Sequence, residues 1–486
     1  MRLLFILAAA LSAANPAQAA DFVPGRVIVK WRSPAAARLH STRLVFNRAI
    51  AADRALVATE PTRAATLAMV DALNADPDVE YAEPDYIRTR MGAPMTPSDP
   101  LYPKQWALPM IQAPDAWGSG YLGSPAVTVA IIDTGWVPHP EIADRVIPDG
   151  GYDFISDPAN AADGDGRDGD PTDTGDSTDQ SSALHGTHVA GIIAAKSNNG
   201  VGVAGLDWGC NLVIVRALGI SHGTGVDSDI SDAIRWAAGL HVDGVPDNQH
   251  PADVINMSFG GAGFSQSMQD AIHDAVAAGS IVVAAAGNLA VDAKDDSPAG
   301  LDGVITVGAV DPTGKIASYS NFGSVVALMA PGGSPQSDPS TGAPLGVLST
   351  IELVGSGFTY TYYAGTSQAT PFVSGTLSLM RGVHPHLGAA EAKRLLQASA
   401  NASAKCANPN DPTTDGCGAG LVDVDAAVAL AAAAGDGPGG ARLGNVVYGG
   451  YGCAVAGRAR PADARALVVA LMVVGLAIVA RRRRVL

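Results

Sequence analysis

From about Pro100 to Leu430 the chain repeats one pattern, a short apolar run followed by a helical periodicity, and this repetition limits the fold more than any other feature. "AVTVAIIDTG", "LVIVRALG", "ADVINMSFG", "IVVAAAGN" and "GVITVGAVD" are almost unbroken in apolar character. A strand with one wet face alternates, whereas a strand apolar throughout is covered on both faces, as in a parallel sheet flanked by helices. "GTHVAGIIAAK", "SDISDAIRWAAGL" (capped by Ser228 or Asp229) and "SMQDAIHDAVAAG" (stopped by Gly279) predict the helices between them. The expected fold class is α/β, a doubly wound, mostly parallel sheet with helices on both faces and right-handed crossovers. Such sheets bind ligands beyond the carboxyl ends of their strands, so chemistry is sought there.

The flanks read differently. Met1-Arg2, the apolar run Leu3–Ala14 and the A-x-A pattern Ala17-Gln18-Ala19 predict an export signal over residues 1–20. Residues 21–93 predict a small α+β domain: strand "VPGRVIVKW", a helix within "PTRAATLAMVDALNADPDV", and strand "EYAEPDY", closed by the linker "MGAPMTPSDP". The main domain is expected over 94–430, a Gly/Ala-rich linker over 431–465, and a hydrophobic helix with an arginine cluster over 466–484. The uncharged run Ala466–Ala480 is short for a spanning helix, and Arg481–Arg484 favours the cytoplasmic side. With 31 basic against 47 acidic residues, net charge −16, the charge argues against a nucleic-acid partner, and none is expected. In an exported chain Cys406 and Cys417, which bracket "CANPNDPTTDGC", are expected to pair. Cys210 reads as a buried thiol, and Cys453 lies in the tail.

Four polar residues fall at strand ends or helix entrances: Asp133 after "VTVAIID", His185 in "HGTHVAG", Asn288 after "VVAAAG", and Ser367 in "YYAGTSQATPFVSG". Singly, each has an ordinary reading as a turn former or cap. Together they form a set that acyl transfer requires. A serine hydroxyl needs a base to take its proton, an imidazole suits that task, and a carboxylate on its other nitrogen fixes the tautomer. The oxyanion needs donors, here the Ser367 backbone N–H and the Asn288 amide.

"AIIDTG", "HGTHVAG", "INMSFGG", "VVAAAGN" and "AGTSQATP", in this order, resemble the signature blocks of subtilase-type serine peptidases over about Pro100–Leu430. The resemblance implies a subtilisin-like fold, a triad of Asp133, His185 and Ser367, Asn288 as oxyanion donor, and a structural role for His188. It implies that Ser258, Phe259, Gly260 and Gly261 form an edge strand for extended substrate, with Gly223, Thr224 and Gly225 as the opposite wall. Gln368 departs from the Met that many relatives carry. The domain over 21–93 resembles inhibitory propeptides, with maturation cleavage between Tyr86 and Asp99.

In "DFISDPANAADGDGRDGDPTDTGDSTDQ", Asp163, Asp165, Asp168, Asp170 and Asp173 supply the hard oxygen donors that calcium prefers, although the spacing is not that of an EF-hand. Similar insertions in exported subtilases hold calcium, and Asn198 and Asn199 mark a second place where relatives bind it; a solvated charged loop fits the same acidic residues. No cofactor is expected for catalysis. The tail from Gly449 resembles bacterial C-terminal sorting signals, whose helix a processing enzyme recognises; an ordinary membrane anchor fits the same residues. The expected product is a secreted or surface-held serine endopeptidase with protein or peptide substrates. A catalytically silent binding module and a peptide-ligating acyltransferase are the alternatives on this scaffold. A lipase of the α/β-hydrolase type is disfavoured, because no G-x-S-x-G surrounds Ser367. With no acid evident in the pocket walls, apolar or uncharged substrate side chains are expected.

Overall fold

The computed structural model describes residues 22–40, 44–60, 62–86, 93–175, 184–353, 357–402, 407–408 and 411–435. The expected signal, residues 1–20, and the expected hydrophobic helix, residues 466–484, lie outside them. Among the described residues no helix is long and apolar enough to cross a membrane.

The N-terminal domain runs β1 (Phe22–Trp31), α1 (Pro34–His40), β2 (Val45–Ala51), β3 (Arg54–Ala58), α2 (Arg63–Asn74) and β4 (Val79–Tyr86). Its strands form one antiparallel sheet in the order β2-β3-β1-β4. Alternation in β1 puts Val27, Val29 and Trp31 in a small core, which α2 covers with Val70 and Leu73. Thr62 caps α2 by accepting from Ala65 N–H at 3.1 Å. The sequence reading found β1, α2 and β4 but not α1, β2 or β3, whose five to seven residues carry no extended apolar run. Arg26 Nη1 donates to Ala433 O at 3.2 Å, a hydrogen bond from this domain to the end of the main one.

The main domain is built on seven parallel strands: β5 (Thr128–Asp133), β6 (Tyr152–Asp153), β7 (Asn211–Arg216), β8 (Val254–Met257), β10 (Ile281–Ala285), β12 (Val304–Val310) and β13 (Val326–Pro331). Two short strands, β9 (Gly261–Ala262) and β11 (Asp296–Ser297), pair separately. The sheet order is β13-β12-β10-β8-β5-β7-β6. Within β5, Val129 and Ile131 enter the core on one face, while Ala130 and Ile132 enter the core on the other. The unbroken apolar runs therefore have their predicted cause. Each fully buried Val or Ile contributes about 1.5–3 kcal/mol relative to exposure.

One face is covered by α3 (His185–Ala194) and by α6 (Thr366–Val383), α7 (Ala389–Ser399) and α8 (Val424–Gly435) later in the chain. The other is covered by α4 (Asp227–Ala237) and α5 (Gln266–Ala278). The chain leaves β5 toward β6 and β7, then crosses to β8 on the opposite side, so β5 and β8 flank the point where strand order reverses.

Several expectations need correction. Helix α4 starts at Asp227 after Val226, not after Ser228 or Asp229. The Asp229 carboxylate is engaged elsewhere, accepting from Ser156 N–H at 2.9 Å and Arg167 Nη2 at 2.6 Å. Ser258–Gly261 is not a continuous edge strand, since β8 ends at Met257 and only Gly261 belongs to β9. An antiparallel hairpin of β14 (Val347–Leu353) and β15 (Gly357–Tyr363) was not anticipated from sequence. It backs α3 closely, with Ser349 Oγ and Thr350 Oγ1 donating to His188 O and Thr187 O at 2.7 and 2.8 Å.

Cys210 is buried and free, as expected. Cys417 is disulfide-bonded; its expected partner, Cys406, lies outside the described residues.

Candidate active site

Asp133 is the last residue of β5 and fully buried. Its Oδ1 lies 2.7 Å from His185 Nδ1 and accepts from Thr134 N–H at 2.8 Å. His185 opens α3, which Leu184 enters in the left-handed region at φ 42°. The helix can approach β5 this closely only because Gly186 has no side chain: a Cβ there would stand 2.1 Å from Gly135 O. Thr134 Oγ1 ties the arrangement down, accepting from Gly186 N–H at 3.0 Å and donating to Asp173 Oδ2 at 2.6 Å. His188, one turn along, is fully buried against Tyr363, with ring centroids 4.5 Å apart. Burial, with the neighbouring His185, pushes its pKa down to about 3, so it stays neutral.

Ser367 is the second residue of α6 and half-buried, while Gly365, Thr366, Gln368 and Ala369 around it are buried. Asn288 follows β10, and its Oδ1 accepts from Thr366 N–H at 2.8 Å and Thr366 Oγ1 at 2.9 Å. That fixes the amide's orientation and leaves Nδ2 as the end available to a developing anion.

Pro371 sits further into α6 than its opening turn, as the sixth residue. Lacking an N–H, it cannot close the helical hydrogen bond to the carbonyl four residues earlier, which belongs to Ser367. Ser258 fills that gap: its Oγ donates to Ser367 O at 2.9 Å. Ser258 Oγ in turn accepts from Asn256 Nδ2 at 2.9 Å, and Asn256 Oδ1 accepts from Ser374 Oγ at 2.8 Å. Ser258 is thus a buried prop beneath the serine rather than part of a substrate-facing wall.

The two halves meet through the sheet. Ile132 of β5 is in register with Met257 of β8, so Asp133 and Ser258 leave adjacent strands side by side. Asp133 holds His185, and Ser258 holds Ser367.

Gly223, Thr224, Gly225, Phe259, Gly260 and Gly261 line one cavity of about 290 Å³. Leu218, Ile230 and Met268 add apolar side chains to a lining that is otherwise largely polar, and the exposed Phe264 also lines it. Asp227 also lines it, which corrects the expectation of walls without an acid.

The five loop aspartates do not gather. Asp163 Oδ2 pairs with Arg216 Nη1 at 2.6 Å, and Asp173 binds Thr134 and Gly175 N–H. Asp168 and Asp170 accept from backbone N–H groups two residues on, at 2.9 and 3.0 Å. Among the described residues no three of these carboxylates could share an ion; the one such trio is His40, Asp76 and Asp78. Arg216 neutralises Asp163, while backbone N–H groups and Thr134 occupy oxygens of Asp168, Asp170 and Asp173. The other expected place, beside Asn198 and Asn199, is different. Asp99 and Glu141 are nearly fully buried there, and Glu141 Oε2 has no hydrogen-bond partner. Asp99 accepts from Asn198 and Asn199 N–H at 2.6 and 3.3 Å, and Glu141 Oε1 from Asn199 Nδ2 at 3.1 Å. Burial raises the Glu141 pKa above the usual carboxylate range. A buried carboxylate oxygen without a hydrogen-bond partner, beside the second carboxylate of Asp99, fits a cation such as calcium.

Sequence reasoning missed Asp99, Glu141, Thr134 and the propping role of Ser258. A proline four residues after Ser367 was the available signal for the last.

A family model described as the subtilase family, peptidase S8, matches residues 124–420, and one described as the fervidolysin N-terminal prodomain matches residues 8–85. An extracellular basic protease of Dichelobacter nodosus is 42% identical over 340 residues, 66% of this chain and 53% of that protein. An extracellular protease of Xanthomonas campestris pv. campestris is 42% identical over 357 residues, 69% of this chain and 57% of that protein. The chain thus spans little more than half the length of these two relatives. Subtilisin amylosacchariticus of Bacillus subtilis subsp. amylosacchariticus is 34% identical over 335 residues, covering 68% and 72%. Among solved structures, one of proteases from Pseudoalteromonas arctica matches with a TM-score of 0.62 at 40% identity, covering 69% of this chain and all of that one.

Proposed function

The chain belongs to the subtilase family, and on that premise we propose that it is an exported serine endopeptidase made with its prodomain attached. His185 takes the Ser367 Oγ proton as that oxygen attacks a peptide carbonyl, then returns it to the leaving amine. Asp133 holds the imidazole tautomer and stabilises the imidazolium. Ser367 N–H and Asn288 Nδ2 stabilise the oxyanion. The supporting observation is the β5–β8 register, which sets the His185–Asp133 pair beside the Ser258–Ser367 pair. The cavity lined by Gly223–Gly225 and Phe259–Gly261 receives substrate side chains, its mixed lining accepting uncharged ones and Asp227 favouring those that carry positive charge.

A fluorophosphonate should label the mature protein at Ser367, and Ser367→Ala should abolish both labelling and peptide hydrolysis. A folded wild-type protein that neither labels nor cleaves casein would overturn the proposal. Product masses consistent with ligation alone would favour the acyltransferase reading.

The N-terminal domain acts as inhibitor until cleavage. Met95 N–H already donates to Pro114 O at 2.8 Å, and Asp99 is buried in the main domain. Within the Tyr86–Asp99 span expected for the maturation bond, these contacts favour the part before Met95. The likeness to extracellular proteases and the A-x-A signal support an extracellular or cell-surface location. Attachment through residues 466–484, to membrane or sorting enzyme, rests on sequence alone.

Structural calcium is the second part of the proposal, held by Asp99, Glu141 and the Asn198–Asn199 loop. Bound there, it would compensate two buried carboxylates. Chelator in excess should lower the melting temperature by several degrees, and Glu141→Gln should remove most of that sensitivity. An unchanged melting temperature would refute this part.

A further inference from the structure

Apart from Asn288, whose Oδ1 accepts from Thr366, the turn that carries it is poorly anchored by its own side chains. Leu289 and Val291 are 74% and 42% exposed, so neither packs the turn against the core. Ala290 has φ 54°, a left-handed conformation that a residue with a Cβ seldom adopts. Such a turn needs an outside constraint, and a buried amide supplies it.

Asn321 is fully buried. Its Oδ1 accepts from Leu289 N–H at 2.9 Å and Val291 N–H at 3.1 Å. Its backbone N–H donates to Gly287 O at 2.8 Å, on the other side of Asn288. Its Nδ2 donates to Asp296 Oδ2 at 2.8 Å, which fixes which way the amide faces. Gly287 lies on that amide so closely that a Cβ would stand 2.4 Å from Nδ2. The backbone bonds Ala290 N–H to Tyr319 O at 2.9 Å and Phe322 N–H to Val291 O at 3.0 Å run alongside. They hold the later part of the turn, and Asn321 brackets Asn288 itself.

We propose that Asn321 is the positioning residue of the oxyanion donor, clamping residues 287–291 so that Asn288 Nδ2 is aimed before substrate arrives. The proposal rests on the reading of Asn288 as that donor. A donor misplaced by a fraction of an ångström binds the ground state nearly as well but stabilises the transition state poorly. The loss therefore belongs in kcat.

The experiment is a double-mutant cycle in the mature enzyme on a peptide anilide. Asn288→Ala is measured first; full activity there would remove the oxyanion reading and this inference with it. Given the expected loss, Asn321→Ala should lower kcat roughly ten- to a hundredfold with KM within about threefold. Binding of a peptide boronic acid, which mimics the tetrahedral state, should weaken in parallel. In the Asn288→Ala background the same substitution should cost less than about threefold, because the group it positions is gone. Full additivity, or an unchanged kcat in folded Asn321→Ala, would overturn the inference while leaving the oxyanion reading intact. Should the variants not fold, hydrogen exchange on the Ser367→Ala precursor decides: Leu289 and Val291 amides should be protected despite their exposed side chains, and fast exchange of both would overturn the clamp.

Discussion

The two halves of the site are held by different physics. On the Asp133–His185 side, a helix lies on a strand end at a distance only Gly186 permits, and α3 is pressed between the sheet and the β14–β15 hairpin. On the Ser367–Asn288 side, elements distant in sequence are joined by side-chain hydrogen bonds: Thr366 to Asn288, Ser258 to Ser367, and Ser374 through Asn256 to Ser258. Packing is intolerant of added volume and fails as a whole. Hydrogen bonds between otherwise well-packed elements fail one at a time. Substitutions on the first side should therefore cost folding, and those on the second should cost activity at modest cost in stability.

Gly186→Ala tests that contrast most severely. The new methyl meets a backbone oxygen at 2.1 Å, and the expected cost is on the order of 3 kcal/mol or more. Little mature enzyme should accumulate; a variant that folds with a near-normal melting temperature would break the distinction. Ser258→Ala addresses the other half. It leaves the Ser367 carbonyl and the Asn256 amide each short of a partner, at a cost of about 1–3 kcal/mol by thermal unfolding. The folded variant should also lose roughly tenfold in kcat through displacement of the serine. A stability loss with kcat intact would place Ser258 among purely structural residues.

The smallest effect concerns acid. His188 has a folded pKa depressed to about 3 from 6.5, so its contribution is complete above pH 6.5 and declines as the unfolded chain takes up a proton below it. By pH 6 the loss is about 1 kcal/mol, growing toward pH 3. His188→Gln should flatten that part of the stability profile, and an unchanged slope would mean the imidazole is not held neutral.

The sheet was legible in sequence because its cause is local: a strand covered on both faces must be apolar at every position, as Val129–Ile132 are. Asp133, His185, Asn288 and Ser367 were legible as a set because strand ends and helix entrances can be located from the same pattern. What failed to show was any partner distant in sequence. The acidic loop displays its carboxylates openly, but Arg216, which neutralises Asp163, comes 53 residues later. Asp99 and Glu141 stand apart in sequence and meet only in the fold. The β15 residues "GFTYTYY" are mostly half-exposed and give neither a clear alternation nor an apolar run.

Pro371 carries one more consequence. A helix with every amide present would set the height of its own second residue, whatever the rest of the protein did. Here the vacant amide acts as a socket, and the loop after a neighbouring strand plugs into it, so the elevation of Ser367 is referenced to the sheet that also carries Asp133. Two groups that must meet to within a fraction of an ångström are thereby gauged from one common datum.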